Sequence, residues 1–170
     1  PLENNEQYHL FLSHLWRTGQ DQMRIIKSRL NEMIPEVSVF LDVDDLQRKK
    51  GKGAELVDNS KLFLLFCSHG FFTSPNCLRE VLRAVWRDKP FLLLLEPDEM
   101  HGRLTVQDAK AELIRLEQEG WYTEWKLDTE MAEWGGKLPT VSEIEAKMFQ
   151  YEPISWDRIG VCPARTCVRP

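Results

Sequence analysis

No stretch of this sequence is apolar for long enough to cross a bilayer. The runs KLFLLFC (61–67) and PFLLLLE (90–96) come nearest, and both fall far short of the ~20 residues a span requires. Charge of one sign is not in excess either. The 22 Lys and Arg stand against 27 Asp and Glu, a net charge of −5 mixed along the chain, which argues against non-specific binding to nucleic acid or anionic membrane. Cysteine is scarce. Cys67, Cys77, Cys162 and Cys167 form no CxxC pair, so neither a disulfide framework nor a usual structural zinc spacing is present. A buried free thiol is the expectation for Cys67, and a reducing cytoplasm for the protein. The opening PLENNEQYHL has neither the basic region nor the apolar region of a secretory leader. Low-complexity tracts, GxGxxG and the P-loop pattern are all missing, which excludes a dinucleotide Rossmann site and a Walker-type NTPase.

What remains is ordinary globular material, with 170 residues of which 42% are hydrophobic. We expect one domain over residues 1–159, with a core, and an irregular tail over 160–170 that holds two prolines and no helical period. Three segments stand out: FLSHLWRTGQDQ (11–22), VFLDVDDL (39–46) and SPNCLREV (74–81). Each is apolar, or adjoins an apolar run, and turns polar at intervals of roughly thirty residues, the length of a βα unit.

The local patterns predict a strand over 8–13, then a helix in which Thr18 is the N-cap and Asp21 its capping-box partner. Met23, Ile26, Leu30 and Met33 form its buried stripe, and it ends before Pro35. Strands follow over 37–41, 61–67 and 91–95, the last two apolar on both faces as central parallel strands are. Residues 42–53 read as an exposed loop, acidic and then basic, and 54–59 as a helical turn or two. Ser74 and Pro75 open a helix as N-cap and N1, with Leu78, Val81, Leu82, Val85 and Trp86 inward. Further helices are expected over 105–118, with Leu113 and Leu116 inward, and over 142–150, and a fifth strand over 152–156. The Trp-rich segment 120–137 gives no assignment. The sum is a doubly wound, flavodoxin-like, five-stranded parallel sheet with helices on both faces.

Such sheets keep their chemistry just past the strand C-termini. Ser13-His14 and Ser68-His69 stand where a phosphoacceptor receiver domain needs acids, which rules that class out. FLDVDDL is similar to the DxD motif of haloacid-dehalogenase-type phosphatases. There Asp42 would attack phosphorus, Asp44 would act as acid and base, both would hold Mg²⁺, and Asp98 and Glu99 would assist. That motif belongs to the first strand of its fold, whereas here a strand and a helix precede it. A Ser/His or Cys/His hydrolase built on Ser68, His69 and Cys77 lacks an orienting acid.

Taken together, FLSH at Phe11, VFLDVDDL at Val39 and KLFLLFCSHGFFTSPNCLREV at Lys61 resemble the three boxes of the Toll/interleukin-1 receptor (TIR) domain. The resemblance covers residues 8–96, and 97–159 is atypical. It implies an intracellular signalling module acting through TIR–TIR contacts and self-association. It also implies, as in many family members, hydrolysis of NAD⁺ at the nicotinamide–ribose bond with NAD⁺ as substrate and no other cofactor or metal. Carried over by position, the catalytic carboxylate is Glu80, and Ser13, His14, Trp16, Asp42 and Asn76 surround the substrate. Asp44, Asp45, Arg48, Lys49 and Lys50 form the interaction loop. Asn76 stands where the family carries a Trp, and the loop reaches its glycines late. The same residues have plainer readings. Glu80 suits the first turn of a helix through the dipole, Ser13 and the aspartates suit caps and turns, Trp16 suits a core rim, and the basic cluster suits a solvated loop. A non-catalytic TIR adaptor module is the alternative function, and the Mg²⁺-dependent phosphatase a third.

Overall fold

The structure is a computed structural model and describes residue 2 and residues 6–41 and 53–158. Its elements run β1 (Tyr8–His14), α1 (Trp16–Met33), β2 (Val39–Leu41), a 3₁₀ helix (Gly53–Asn59), β3 (Ser60–Cys67), a 3₁₀ turn (Phe71–Thr73) and α2 (Pro75–Trp86). They continue with β4 (Phe91–Leu95), a 3₁₀ turn (Glu99–His101), α3 (Val106–Gln118), α4 (Trp121–Glu124), α5 (Leu127–Glu133), α6 (Val141–Met148) and β5 (Ile154–Ser155). The strands pair in the order β2-β1-β3-β4-β5, all parallel. This is the flavodoxin-like winding, in which the order reverses at β1 and β3. Among the described residues no helix is long and apolar enough to cross a membrane.

Register explains the core. Phe11 faces Phe40 on one side and Phe63 on the other, and Phe63 faces Phe91. Their rings therefore form a row across four strands, with centroids 4.9, 5.5 and 5.0 Å apart. Each aromatic pair of this kind contributes about 0.5–1.5 kcal/mol beyond its buried area. The row lies under α2, α3 and α6, together with Leu78, Val81, Leu113 and Ile144. On the opposite face Leu12, Leu41, Leu64 and Phe66 pack against Met23 and Ile26 of α1. Strand residues alternate between these two clusters because side chains in a strand alternate faces.

Several local expectations are corrected. Thr18 is not the cap of α1. That helix starts at Trp16 with Leu15 at the N-cap and no side-chain cap. The Leu15 carbonyl takes the N–H groups of Thr18 and Gly19, while the Thr18 hydroxyl meets that of Ser68 at 2.7 Å. Met33 is exposed rather than inward, since the stripe meets the sheet only through its first turns. The fifth strand is the two residues Ile154–Ser155. The Trp-rich segment forms α4, which packs against α3, and α5, which packs beside α2. Arg79 of α2 makes a two-pronged contact with Glu130 of α5. The Arg83 guanidinium lies over the rings of Trp86 and Trp134, at 4.7 and 4.6 Å from their centroids, while Asp58 takes its Nε and Nη2 at 2.7 and 2.6 Å. Residues 159–170, and with them Cys162 and Cys167, lie outside the described residues. Cys67 and Cys77 are both buried.

Candidate functional site

The C-terminal end of β1 and the first turns of α2 face each other across a cavity of about 450 Å³, within the range of small-molecule sites. Its walls are Leu12 and His14 from β1, Leu15 and Trp16 from the connection into α1, and Ser74, Asn76, Cys77 and Glu80 from the start of α2. Local chemistry fixes that start. Pro75 sets the first helical φ, and the Ser74 hydroxyl accepts the N–H of Cys77 at 3.4 Å. Glu80 then falls about one and a half turns in, on the side of the helix away from Leu78 and Val81.

Glu80 is half-buried. Its Oε2 accepts a hydrogen bond from Ser13 Oγ at 2.6 Å, a short, charge-assisted bond that ties the carboxylate of one element to the strand end of another. Gly53, which opens the 3₁₀ helix, comes close on the other side. A Cβ on Gly53 would sit 3.9 Å from Glu80 Oε1. Trp16 is 54% exposed and leaves an indole face at the cavity rim. Asn76 is exposed in the first turn of α2. Cys77 is buried, and its thiol donates to the carbonyl of His14 at 3.5 Å.

His14 is 4% exposed. Burial lowers its pKa from 6.5 to about 4, against the opposing effect of a hydrogen bond to the Leu12 backbone. It is therefore a neutral imidazole at pH 7, and its Nε2 has no hydrogen-bond partner among the described residues. Gly19 makes room for it, since a Cβ there would lie 3.0 Å from both His14 Cβ and Phe66 Cδ1.

The structure thus brings Glu80, His14, Trp16 and Asn76 to one hollow, with buried Ser13 reaching it only through its bond to Glu80. Asp42, Asp44, Asp45, Arg48, Lys49 and Lys50 lie outside the described residues. Ser68 and His69 do not join Cys77. The Ser68 hydroxyl faces Thr18, and His69 lines a different cavity. Asp98 is half-buried and bonded to Met100 N–H and His101 Nδ1. Among the described residues no group of three or more His, Cys, Asp or Glu side chains is placed to hold a metal ion. Sequence reasoning missed the ion pair behind the hollow. Glu96, fully buried after β4, accepts from Arg158 Nε at 2.6 Å and from the N–H of Asp98 at 3.0 Å. Arg158 also donates to the Thr18 carbonyl in the first turn of α1 at 3.1 Å. A charged residue directly after an all-apolar strand was the available signal for Glu96, and nothing near Arg158 pointed to it.

A carboxylate held by a hydroxyl in a part-enclosed hollow, beside an exposed indole, can orient a polyhydroxylated ligand and stabilise positive charge developing near it.

The strand order and the site define a doubly wound α/β protein of flavodoxin-like topology. No family model matches the chain, and no curated protein matches it. Among solved structures it is similar to a metazoan TIR-STING receptor from C. gigas, in complex with 2',3'-cGAMP. The TM-score is 0.48 and the identity 18%, over 64% of this chain and 33% of that chain. The chain therefore spans about a third of that receptor's length.

Proposed function

We propose that the chain is a TIR-type signalling domain that hydrolyses NAD⁺ between nicotinamide and ribose on self-association, with Glu80 at the reacting ribose. The observation that carries this reading is the position of Glu80, half-buried at a cavity of about 450 Å³ with Ser13 fixing one carboxylate oxygen. The chemistry suits a single carboxylate. Nicotinamide departs as a neutral molecule from a cationic donor, so the C1′–N bond breaks without a general acid. Glu80 accepts hydrogen bonds from the ribose hydroxyls and stabilises the oxocarbenium-like transition state, and water then adds at C1′ and releases its proton to solvent. Neutral His14 places no competing positive charge there. Trp16 offers a face for a base to stack on, and Asn76 a polar contact at the rim.

Asn76 also favours the second reading, a TIR module that acts by contacts alone, because the wall the family builds with an indole is here a short amide. Chromatographic assay of purified, concentrated protein with NAD⁺ separates the two. Nicotinamide release that Glu80→Gln abolishes supports hydrolysis. No release, or equal release by the variant, sinks it and leaves the contact module. The phosphatase reading finds less support, because its aspartates follow β2, and β2 is an edge strand.

A further inference from the structure

A second hollow, of about 350 Å³, lies past the C-terminal ends of β3 and β4 beside α3, and it shares no wall residue with the Glu80 cavity. His69, after β3, and Arg103 and Leu104, after β4, form one side, and Asp108, Ala111, Glu112 and Arg115 of α3 form the other. Positions 108, 112 and 115 recur at helical spacing, so they present one face. This is again the carboxyl end of parallel strands, where open α/β sheets receive ligands.

The charges of this hollow are incompletely matched. Asp108 is engaged, since its Oδ2 accepts both the N–H and the hydroxyl of Thr105, at 3.1 and 2.6 Å. Glu112 is not. Its Oε2 is buried and has no hydrogen-bond partner among the described residues. Burial raises the pKa of this carboxyl, and His69 and Arg115 partly oppose that. The two arginines are loosely held. Arg103 reaches Glu99 at 3.2 Å in an exposed pair, an arrangement that contributes little. Arg115 lies over the Trp121 ring, 5.8 Å from its centroid.

Besides His69, the wall carries two arginines and two carboxylates. A simple anion drawn to the arginines would meet Glu112, and a simple cation drawn to Glu112 would meet the arginines. The complement is a molecule that carries both charges a few bonds apart. A partly desolvated carboxylate lacking a donor gains more from an ammonium than a hydrated one does. Leu104 and Ala111 supply the apolar part of the wall. We propose that this hollow binds a small zwitterion of the α-amino-acid class with an apolar side chain, its ammonium on Glu112 and its carboxylate on Arg103 and Arg115. The assignment is independent of whether Glu80 cleaves anything.

The test is a titration of the ¹⁵N-labelled protein, followed by amide chemical shifts, with three probes. These are L-leucine, 4-methylpentanoate (the same skeleton without the amine) and 3-methylbutylamine (without the carboxylate). L-Leucine is expected to give saturable shifts at His69, Arg103 and residues 108–115, with each one-charge analogue at least about tenfold weaker. Glu112→Gln keeps the side-chain shape and is expected to weaken leucine about tenfold or more, while amides around Glu80 keep their positions, which shows that the variant is folded. The proposal is overturned if leucine produces no saturable shift, if 4-methylpentanoate binds as well as leucine, or if Glu112→Gln binds leucine unchanged.

Discussion

Replacing Arg158 with Ala tests how the Trp16 wall of the hollow is held. Glu96 is fully buried, and its carboxylate takes Arg158 through Nε and Nη2, each at 2.6 Å. Among the described residues its other donor is the N–H of Asp98 at 3.0 Å. Removing the guanidinium leaves a buried charge with one neutral partner, a change that costs about 3–5 kcal/mol in comparable buried pairs. It also removes the bond from Arg158 to the Thr18 carbonyl, which anchors the first turn of α1 beside Trp16. For a domain of this size that predicts a fall in melting temperature of roughly 10 °C, at 2–4 °C for each kcal/mol. Urea unfolding of Arg158→Ala, Glu96→Gln and the double variant gives the coupling directly. The double variant should recover part of the loss, because an amide is less costly than a charge to leave in that site, with an interaction energy of about 2 kcal/mol. A loss below about 1 kcal/mol for Arg158→Ala, or strict additivity, would refute a role for the pair in holding the first turn of α1 beside Trp16.

Three other expectations are independent of it. His14 has a folded pKa of about 4 against an ordinary 6.5, so the unfolded chain binds the proton first and protonation favours unfolding. Stability should fall by about 3 kcal/mol as pH drops from 6.5 to 4 and gain no further slope from this residue below that. His14→Gln should flatten that part of the profile, and parallel profiles would contradict the assignment. Gly136→Ala places a Cβ 2.7 Å from Trp86 Nε1. It should disturb the Trp86–Trp134 stack and lower stability by about 1–3 kcal/mol, read by near-ultraviolet circular dichroism and urea midpoint. If the basic loop carries assembly, charge reversal of Lys49 and Lys50 together should lower the sedimentation coefficient at high concentration, and unchanged self-association would count against that role.

The strands were legible because parallel strands buried on both faces read as unbroken apolar runs. Phe91–Leu95 is such a run and is a strand over that same range. The start of α2 was legible from Ser74 and Pro75, whose chemistry is local. Thr18 misled because a Thr-x-x-Asp pattern describes a cap only when the backbone before it is free to turn. Here Leu15 already closes the first turn, and the Thr18 hydroxyl is drawn to Ser68, a partner far along the chain. Segment 120–137 gave no signal because its helices span four and seven residues, too short for a period to show. Their apolar residues, Tyr122, Leu127 and Met131, are placed by contact with the core of other elements. At the hollow, the residue types and their place at strand ends were readable. The Ser13–Glu80 bond spans 67 positions and exists only once β1 and α2 are assembled, as does the Glu96–Arg158 pair.

The most direct test of the account is the rate of nicotinamide release from NAD⁺ by the concentrated wild-type protein and by Glu80→Gln, with circular dichroism confirming that the variant is folded. The account predicts release by wild type and a loss of at least about a hundredfold in the variant, the scale of removing a transition-state electrostatic contact. Release at the same rate from both proteins, or from neither, would contradict it.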